Sequence, residues 1–387
     1  MRDANCPMCR GETEELLRLQ FGEKLQLPTA VELRHCALDN FLFITGGIQL
    51  AYDGYYAAVA NDTVHQEVSS GSARSPISRL QSDHLLNEID VFFEISRKVL
   101  DFGCGEASLL VELASNFPAS TFVGFEPGPA AQTAASKAAL LGLANLSIAG
   151  FEQSRSGGKY DLIILSHVIE HVVDMDLIDL LHGLLAEGGL LYMEVPDALK
   201  YGVMQRREFL YYFDRLHVNH FTPQSLMRLG QSYGFGYVRH FEYAFPYRDD
   251  GQYPALGMLF CKGATGAEVT SPSIRDTARL YIEQEKARAL SVARSLDHYK
   301  GLLVWGTGDN FYRSLGNGGP LSGLREMILL DQRRQEITLG DQTFHTMDPQ
   351  TGIRSSPWPV VVTVSESRKV IGRLISEVDP GRQVFYI

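Results

Sequence analysis

The stretch KVLDFGCGEASLLVELASNFPASTFVGFEP, residues 98–127, decides the fold of this chain. An apolar run ends at Asp101, glycines follow at Gly103 and Gly105, and leucines then recur at helical spacing. A second apolar run, residues 121–125, ends at Glu126. In a right-handed βαβ unit the two strand ends lie side by side at the carboxyl edge of a parallel sheet. The pattern therefore predicts that the glycine turn and Glu126 border one crevice, which binds a ribose.

Helix and strand patterns continue to alternate beyond this unit. Residues 160–165 form a nearly continuous apolar run, which is typical of a strand buried on both faces. Gly188 and Gly189 are expected to end the helix that precedes the next strand. The expected helices are 80–94, 130–141 and 175–186, and the expected strands are 146–149, 160–165 and 190–196. This order predicts an α/β fold with a doubly wound parallel sheet.

Length and charge restrict the class of protein. A chain of 387 residues exceeds the usual size of one hydrophobic core, so two or three domains are expected. A net charge of -11 without a basic run argues against a nucleic-acid partner. No apolar segment approaches the roughly 20 residues needed to span a bilayer, and the N-terminus lacks the apolar core of a signal peptide. We expect a cytoplasmic protein without a membrane partner, whose five cysteines remain thiols.

The N-terminal segment, residues 1–78, contains a candidate metal site. Cys6 and Cys9 form a C-x2-C pair, and Cys36 follows later in the chain. A second pair at the same spacing would place a cysteine at 39, where this chain has Asp39, and His35 is the other neighbouring ligand. Carboxylate and imidazole both suit zinc, so a structural Cys3Asp or Cys3His site is one interpretation. A motif that has lost its metal, with Cys36 simply buried, is the other.

Five motifs stand in an order that resembles class I S-adenosylmethionine-dependent methyltransferases over residues 79–265. They are DFGCG with its downstream acid, DLIILSHVIEHV at 161–172, EGGLLYMEVPD at 187–197, HVNHFTPQSL at 217–226, and two strands at 237–243 and 255–261 that resemble the closing antiparallel hairpin of the family. The resemblance implies that S-adenosylmethionine binds at Asp101, Gly103, Cys104, Gly105, Glu126, Pro127, Phe151, Glu152 and Ser166.

The resemblance also assigns roles within this set. Glu126 would accept hydrogen bonds from the ribose hydroxyls, and Phe151 and Glu152 fall where the family contacts adenine. The third glycine of the family is Ala107 here, which is acceptable if its φ is negative. A nicotinamide dinucleotide is the competing ligand, but its G-x-G-x-x-G turn would place a glycine where this chain has Ser108.

Catalytic residues are expected after the strand that ends at residue 165. His167, Glu170 and His171 share one face if the segment is helical. Methyl transfer requires an aligned nucleophile and removal of its proton, and histidine is the natural base near neutral pH. His217 and His220 are expected to line the same pocket from the other side. A purely structural role remains open for each histidine taken alone.

The C-terminal residues 274–387 repeat the strand and glycine-turn pattern on a smaller scale. After a long helical pattern at 274–299, an apolar run reaches the G-x-G of Gly306 and Gly308, and a second strand ends at Asp331. A third strand is expected at 359–364. The pattern predicts a smaller Rossmann-like α/β domain, for which nucleotide binding and a purely architectural role both stay open.

The three-part order resembles sugar C-methyltransferases, which have a zinc-binding segment, a central methyltransferase and a nucleotide-like domain. The resemblance implies a nucleotide-linked sugar as substrate and an enediolate generated by a base. Glu170 with His171 would form the base region, and Tyr55 or Tyr56 would steady the enediolate oxygen. The missing fourth cysteine and the HVNHFT segment depart from that family. O- or N-methylation of another small metabolite and a noncatalytic binding protein therefore remain alternatives, and the sequence leaves the oligomeric state open.

Overall fold

The computed structural model describes residues 4–23, 27–46, 76–204, 208–247, 251–316, 318–323, 326–332, 336–339, 342–364 and 367–387. Its strands are β1 (Glu14–Gln20), β2 (Ala30–Cys36), β3 (Phe41–Thr45), β4 (Lys98–Phe102), β5 (Thr121–Phe125), β6 (Leu146–Ile148), β7 (Tyr160–Ser166), β8 (Leu185–Pro196), β9 (Asn219–His220), β10 (Phe235–Tyr247), β11 (Gly251–Lys262), β12 (Leu302–Trp305), β13 (Met327–Leu330), β14 (Glu336–Leu339), β15 (Gln342–His345), β16 (Val360–Val362) and β17 (Val384–Tyr386). Its α-helices are Pro76–Glu88, Ser108–Asn116, Ala130–Leu140, Phe151–Ser156, Leu177–Leu184, Pro223–Ser232, Ile274–Leu296, Asp309–Leu315, Pro349–Ser355 and Arg368–Val378, with 3₁₀ turns at Asp90–Glu94, Ile169–His171 and Ala198–Lys200.

A seven-stranded sheet forms the centre, with the strand order β10-β11-β8-β7-β4-β5-β6. Strands β4 to β8 pair in parallel, whereas β11 pairs antiparallel with both β8 and β10. The closing antiparallel hairpin is therefore present, and the sheet is mixed rather than wholly parallel. Strand order reverses between β4 and β7, so the carboxyl ends of these two strands border a crevice.

The N-terminal sheet takes its last strand from the central part of the chain. Strands β1, β2 and β3 form an antiparallel meander, and β9 pairs with β3 through Leu42–His220 and Phe43–Asn219. The HVNH segment is therefore part of this sheet. The two sheets share packing, because Phe41 and Phe43 lie in one buried cluster with strands of the central sheet.

The C-terminal residues form a separate parallel sheet with the strand order β13-β12-β16-β17. Its three pairings are all parallel, and a small β14–β15 hairpin lies beside it. This arrangement agrees with the expected α/β pattern. The long helix Ile274–Leu296 leads into this sheet and buries Tyr281 and Glu285 against the preceding part of the chain.

Several expected helices end earlier in the structure. The helix expected at 80–94 ends at Glu88 and is followed by the 3₁₀ turn Asp90–Glu94, and the helix expected at 274–299 ends at Leu296. The helix expected at 175–186 ends at Leu184, and Gly188 and Gly189 lie inside strand β8, so they do not cap the helix. Gly188 has a φ of +71°, which marks a local twist in this strand. None of the described helices is long and apolar enough to cross a membrane.

Candidate active site

The glycine turn after β4 is held by the end of β5. The backbone N–H of Gly103 donates to the Phe125 carbonyl at 2.7 Å, and that of Gly105 donates to Glu126 Oε2 at 3.0 Å. Gly103 has a φ of +83°, and a Cβ there would lie 2.6 Å from Val168 Cγ2. The turn thus needs glycine at this position both for its backbone conformation and for its close approach to the segment after β7.

Glu126 retains acceptor capacity toward the crevice. Its Oε1 accepts from the Gly128 N–H at 2.8 Å, and its Oε2 accepts from Gly105 as described. A carboxylate has about four lone-pair sites, so two remain for hydroxyl donors. The half-buried side chain is fixed in place by these backbone donors, which suits the predicted contact with a ribose.

Ala107 does not have the negative φ that was expected of an alanine at this position. Its φ is +56°, in the left-handed region, and it precedes the helix Ser108–Asn116. An alanine in this conformation costs roughly 1–2 kcal/mol. The position therefore has the conformation for which the family uses glycine, and this chain accommodates alanine there under strain.

The other predicted cofactor residues differ in exposure. Phe151 lies 5.5 Å from Phe125 between ring centroids, and one of its faces carries the Arg155 guanidinium. Glu152 is 83% exposed and lies 3.6 Å from Arg155, so in this structure its carboxylate points to solvent. Pro127 is exposed and Cys104 is half-buried. Burial and the neighbouring carboxylates raise the pKa of the Cys104 thiol, which makes it a poor nucleophile.

Asp101 is a buried acid at the end of β4. Burial, together with the charges of Glu126 and Glu194, raises its pKa to about 7. The carboxyl group therefore changes charge near neutral pH.

His167 lies between two buried carboxylates. Its Nδ1 lies 3.0 Å from Glu170 Oε1, and its Nε2 lies 3.2 Å from Glu194 Oε1. Burial lowers the pKa of His167, but the two carboxylates outweigh burial and raise it to about 10. His167 is therefore an imidazolium at neutral pH, and it orients the carboxylates rather than acting as a base.

Glu170, His171 and His217 form a compact cluster beside this ion pair. The expected helix is one 3₁₀ turn, Ile169–His171, which places Glu170 Oε1 4.0 Å from His171 Nε2. The rings of His171 and His217 lie 4.9 Å apart between centroids. His171 Nδ1 lies 2.9 Å from the Leu216 carbonyl, so it donates its proton there and leaves Nε2 as the acceptor. Burial lowers the pKa of His171, which keeps the ring neutral.

Residues 75–240 match the family model described as "Methyltransferase domain". Residues 75–240 therefore form a methyltransferase domain. A segment of 108 residues is also 32% identical to trans-aconitate 2-methyltransferase from Methylobacterium radiotolerans, covering 27% of this chain and 40% of that protein. The chain therefore spans less than half the length of this curated relative.

Two solved structures that are similar to part of this chain are methyltransferases. One is a SAM-dependent methyltransferase from Methanosarcina mazei, with 17% identity, 45% of this chain and 96% of that chain covered, and a TM-score of 0.38. Another is magnesium protoporphyrin IX methyltransferase from Synechocystis PCC 6803, with 18% identity, 48% and 84% covered, and a TM-score of 0.38. The assignment of the methyltransferase domain rests on the family model.

Sequence reasoning missed Glu194, the centre of the polar network in the methyltransferase domain. This fully buried carboxylate on β8 accepts from Gln81 at 2.8 Å and from Tyr192 at 2.6 Å, and also from Tyr243. Ser166, one of the predicted cofactor residues, donates to it at 3.2 Å. His167 and the hydrogen bonds from Tyr192 and Tyr243 lower the pKa of Glu194 to about 2 despite its burial. An acid inside the apolar strand LLYMEVP was the available signal.

His220 does not join the cluster. It lies on β9, is 1% exposed, and its Nδ1 lies 3.1 Å from the Tyr201 hydroxyl. Burial lowers its pKa to about 3, so it is a neutral core residue. The adjacent Asn219 donates to the carbonyls of Ile169 and Val172 at 2.8 and 2.7 Å. The HVNH segment thus holds the 3₁₀ turn of the methyltransferase domain in place. Tyr55 and Tyr56 lie outside the described residues.

The cysteine cluster near the N-terminus has the composition predicted for it. Ligand atoms of Cys6, Cys9, Cys36 and Asp39 all lie within 4.8 Å of one another. Cys9 Sγ lies 3.5 Å from Cys36 Sγ, and Asp39 Oδ2 lies 3.1 Å from Cys6 Sγ. Three sulfurs and one carboxylate oxygen match the donor set that tetrahedral zinc accepts. His35 is absent from this cluster, and burial lowers its pKa.

Proposed function

We propose that the chain is an S-adenosylmethionine-dependent enzyme that methylates a small molecule. The observation that supports this most directly is the position of two sites at one sheet edge. The glycine turn with Glu126 follows β4 and β5, and the His167–His171 segment follows β7, which pairs with β4. The contact between Gly103 and Val168 joins the two sites. A cofactor and an acceptor bound at this edge would therefore be neighbours.

The residues of the glycine turn fit the cofactor. Gly103 and Gly105 let the backbone approach a ligand closely, and Glu126 offers acceptors to the ribose hydroxyls. When bound, S-adenosylmethionine supplies an activated methyl group. The protein is then required mainly to align the acceptor and to remove its proton.

His171 is the best-placed proton acceptor of the four histidines. Its Nδ1 is fixed as a donor to the Leu216 carbonyl, so Nε2 carries the lone pair, and Nε2 lies 4.0 Å from Glu170 Oε1. His167 is charged and His220 is enclosed by the core, which removes both from this role. We assign His171 as the base, Glu170 as the carboxylate that stabilises its charged form, and His217 as its partner across the pocket.

A nucleotide-linked sugar, methylated at carbon through an enediolate, is the acceptor that we propose. The support is the order of the three parts: a Cys3Asp cluster before the methyltransferase domain and a parallel α/β sheet after it. In the C-terminal sheet, Thr307 donates to Asp331 at 2.9 Å beside the G-x-G turn. A small organic acid is the second candidate, because the curated relative is named for trans-aconitate.

A binding screen tests this function. S-adenosylhomocysteine should raise the thermal unfolding temperature, because a ligand that binds only the folded state stabilises it. A panel of nucleotide sugars and trans-aconitate, added with S-adenosylhomocysteine, should identify the acceptor by a further rise. Transfer of labelled methyl to that acceptor should be lost in His171→Gln and retained in His345→Gln, a histidine that is 73% exposed on β15. No response to S-adenosylhomocysteine would reject the function.

A further inference from the structure

The cluster of Glu170, His171 and His217 has features of a metal site that a proton relay does not need. The potential ligand atoms of these three residues all lie within 4.8 Å of one another. Two ligand atoms that bind one zinc ion at about 2.1 Å lie within about 4 Å of each other. A shift of about 1 Å in the side chains would therefore place the three ligand atoms at bonding distance from one ion.

The two carboxylate oxygens of Glu170 differ in their contacts. Its side chain is only 1% exposed, and its Oε1 lies 3.0 Å from His167 Nδ1. Its Oε2 is buried and has no hydrogen-bond partner among the described residues. A buried carboxylate oxygen without a donor costs free energy, and a cation would satisfy it.

The two histidines are oriented as ligands. The Nδ1–H of His171 donates to a backbone carbonyl, which is the outer contact that commonly fixes the tautomer of a metal-binding histidine. His217 Nδ1 is buried and has no hydrogen-bond partner among the described residues. The Asp214 carboxylate accepts from the backbone N–H groups of Leu216 and His217, so the loop that carries both contacts is fixed.

Charge also favours a cation at this position. The carboxylates of Glu170 and Glu194 both face a single ring, that of His167, so the group carries net negative charge whichever form the ring takes. An acceptor that becomes an enediolate or an alkoxide would add negative charge next to them. One histidine ring cannot offset two carboxylates and this added charge.

We propose that Glu170, His171 and His217 bind a divalent first-row transition cation. Two imidazoles and one carboxylate suit Zn²⁺, Fe²⁺ or Co²⁺ rather than Mg²⁺ or Ca²⁺, and three protein ligands leave a position for an acceptor oxygen. This inference rests on the proposed function for the location of the acceptor, and it replaces the role of base that was assigned to His171 there. With the cation bound, the cluster polarises the acceptor oxygen, and the His171 lone pair that would otherwise take a proton serves as a ligand.

Cobalt titration of the full-length chain tests the site directly. The Cys36→Ser background removes one thiolate of the N-terminal cluster, and thiolate charge transfer reports any Co²⁺ that Cys6 and Cys9 still hold. In that background we expect about one Co²⁺ per chain, with visible absorption that lacks thiolate charge transfer. His217→Ala and the nearly isosteric Glu170→Gln should each remove this Co²⁺ at the same free concentration. His345→Ala, a surface histidine, should retain it.

Each outcome bears on the proposal. Loss of Co²⁺ in both cluster variants, with S-adenosylhomocysteine binding unchanged, supports it, and binding should weaken as pH falls because protons compete for the imidazoles. Absence of Co²⁺ binding in the Cys36→Ser chain, or its persistence in both His217→Ala and Glu170→Gln, overturns it. If the cation is absent but S-adenosylhomocysteine still stabilises the protein, the methyltransferase function stands without a metal. If S-adenosylhomocysteine has no effect, that function fails whatever cobalt shows.

Discussion

Replacing Gly103 with alanine should weaken cofactor binding through two separable effects. The first is backbone strain, because Gly103 has a φ of +83° and an alanine in the left-handed region costs roughly 1–2 kcal/mol. The second is the contact of the new Cβ with Val168 Cγ2 at 2.6 Å. Overpacking of this kind costs typically about 1–3 kcal/mol, and the branched Val168 has few alternative rotamers.

Gly105→Ala is the matched control for this change. Gly105 has a φ of +53°, but a Cβ there meets nothing within 4 Å. The control therefore carries the strain without the clash. We expect the turn of unbound Gly103→Ala to shift away from its native conformation, which relieves the clash. Cofactor binding must then restore the native turn, and the cost of doing so lowers the affinity. The clash then predicts a dissociation constant for Gly103→Ala that is roughly 5- to 150-fold larger than that of Gly105→Ala.

Isothermal titration with S-adenosylhomocysteine measures the difference. The double variant Gly103→Ala/Val168→Ala removes the contacting methyl groups and should recover most of the affinity lost to the clash, with Val168→Ala alone as reference. Equal affinity of Gly103→Ala and Gly105→Ala would refute the reasoning. So would a double variant that binds no better than Gly103→Ala.

Three further predictions concern charge and metal. The raised pKa of His167 contributes stability that is full below its ordinary value of 6.5 and is lost as pH rises toward about 10, while the lowered pKa of Glu194 contributes stability that is lost as pH falls toward about 2. The urea midpoint should therefore fall at alkaline pH in the native protein and much less in His167→Gln; parallel curves would contradict this. Asp101→Asn should raise the unfolding temperature most at about pH 8, where the carboxyl is charged in both the folded and the unfolded chain, and progressively less as pH falls toward its ordinary pKa of 3.8; a rise of the same size across this range would show that charge is not the cause. Cys36→Ser should lower the zinc content by about one ion per chain in elemental analysis, and an unchanged content would exclude the cysteine cluster as a site.

Local patterns were sufficient to predict the central elements. Strand, turn and helix depend on hydrophobic periodicity and on glycine, which are readable over a few residues. The sheet edge shared by the glycine turn and the His167–His171 segment also followed from the strand order, because parallel strands bring their carboxyl ends together. The misplaced end of the helix before β8 shows the limit, since Gly188 and Gly189 as easily twist a strand as cap a helix.

The sequence by itself was sufficient to predict the methyltransferase domain, the glycine turn with Glu126 and the three cysteines of the N-terminal cluster, whereas the structure placed Asp39 rather than His35 beside them. Only the tertiary structure decided the roles of the histidines. His167 is charged because β8 brings Glu194 against it, and His220 is a core residue because β9 pairs with β3. Spacing along the chain cannot reveal such contacts, because they join residues that are distant in sequence. The electrostatic environment that sets each pKa arises only when those residues pack together.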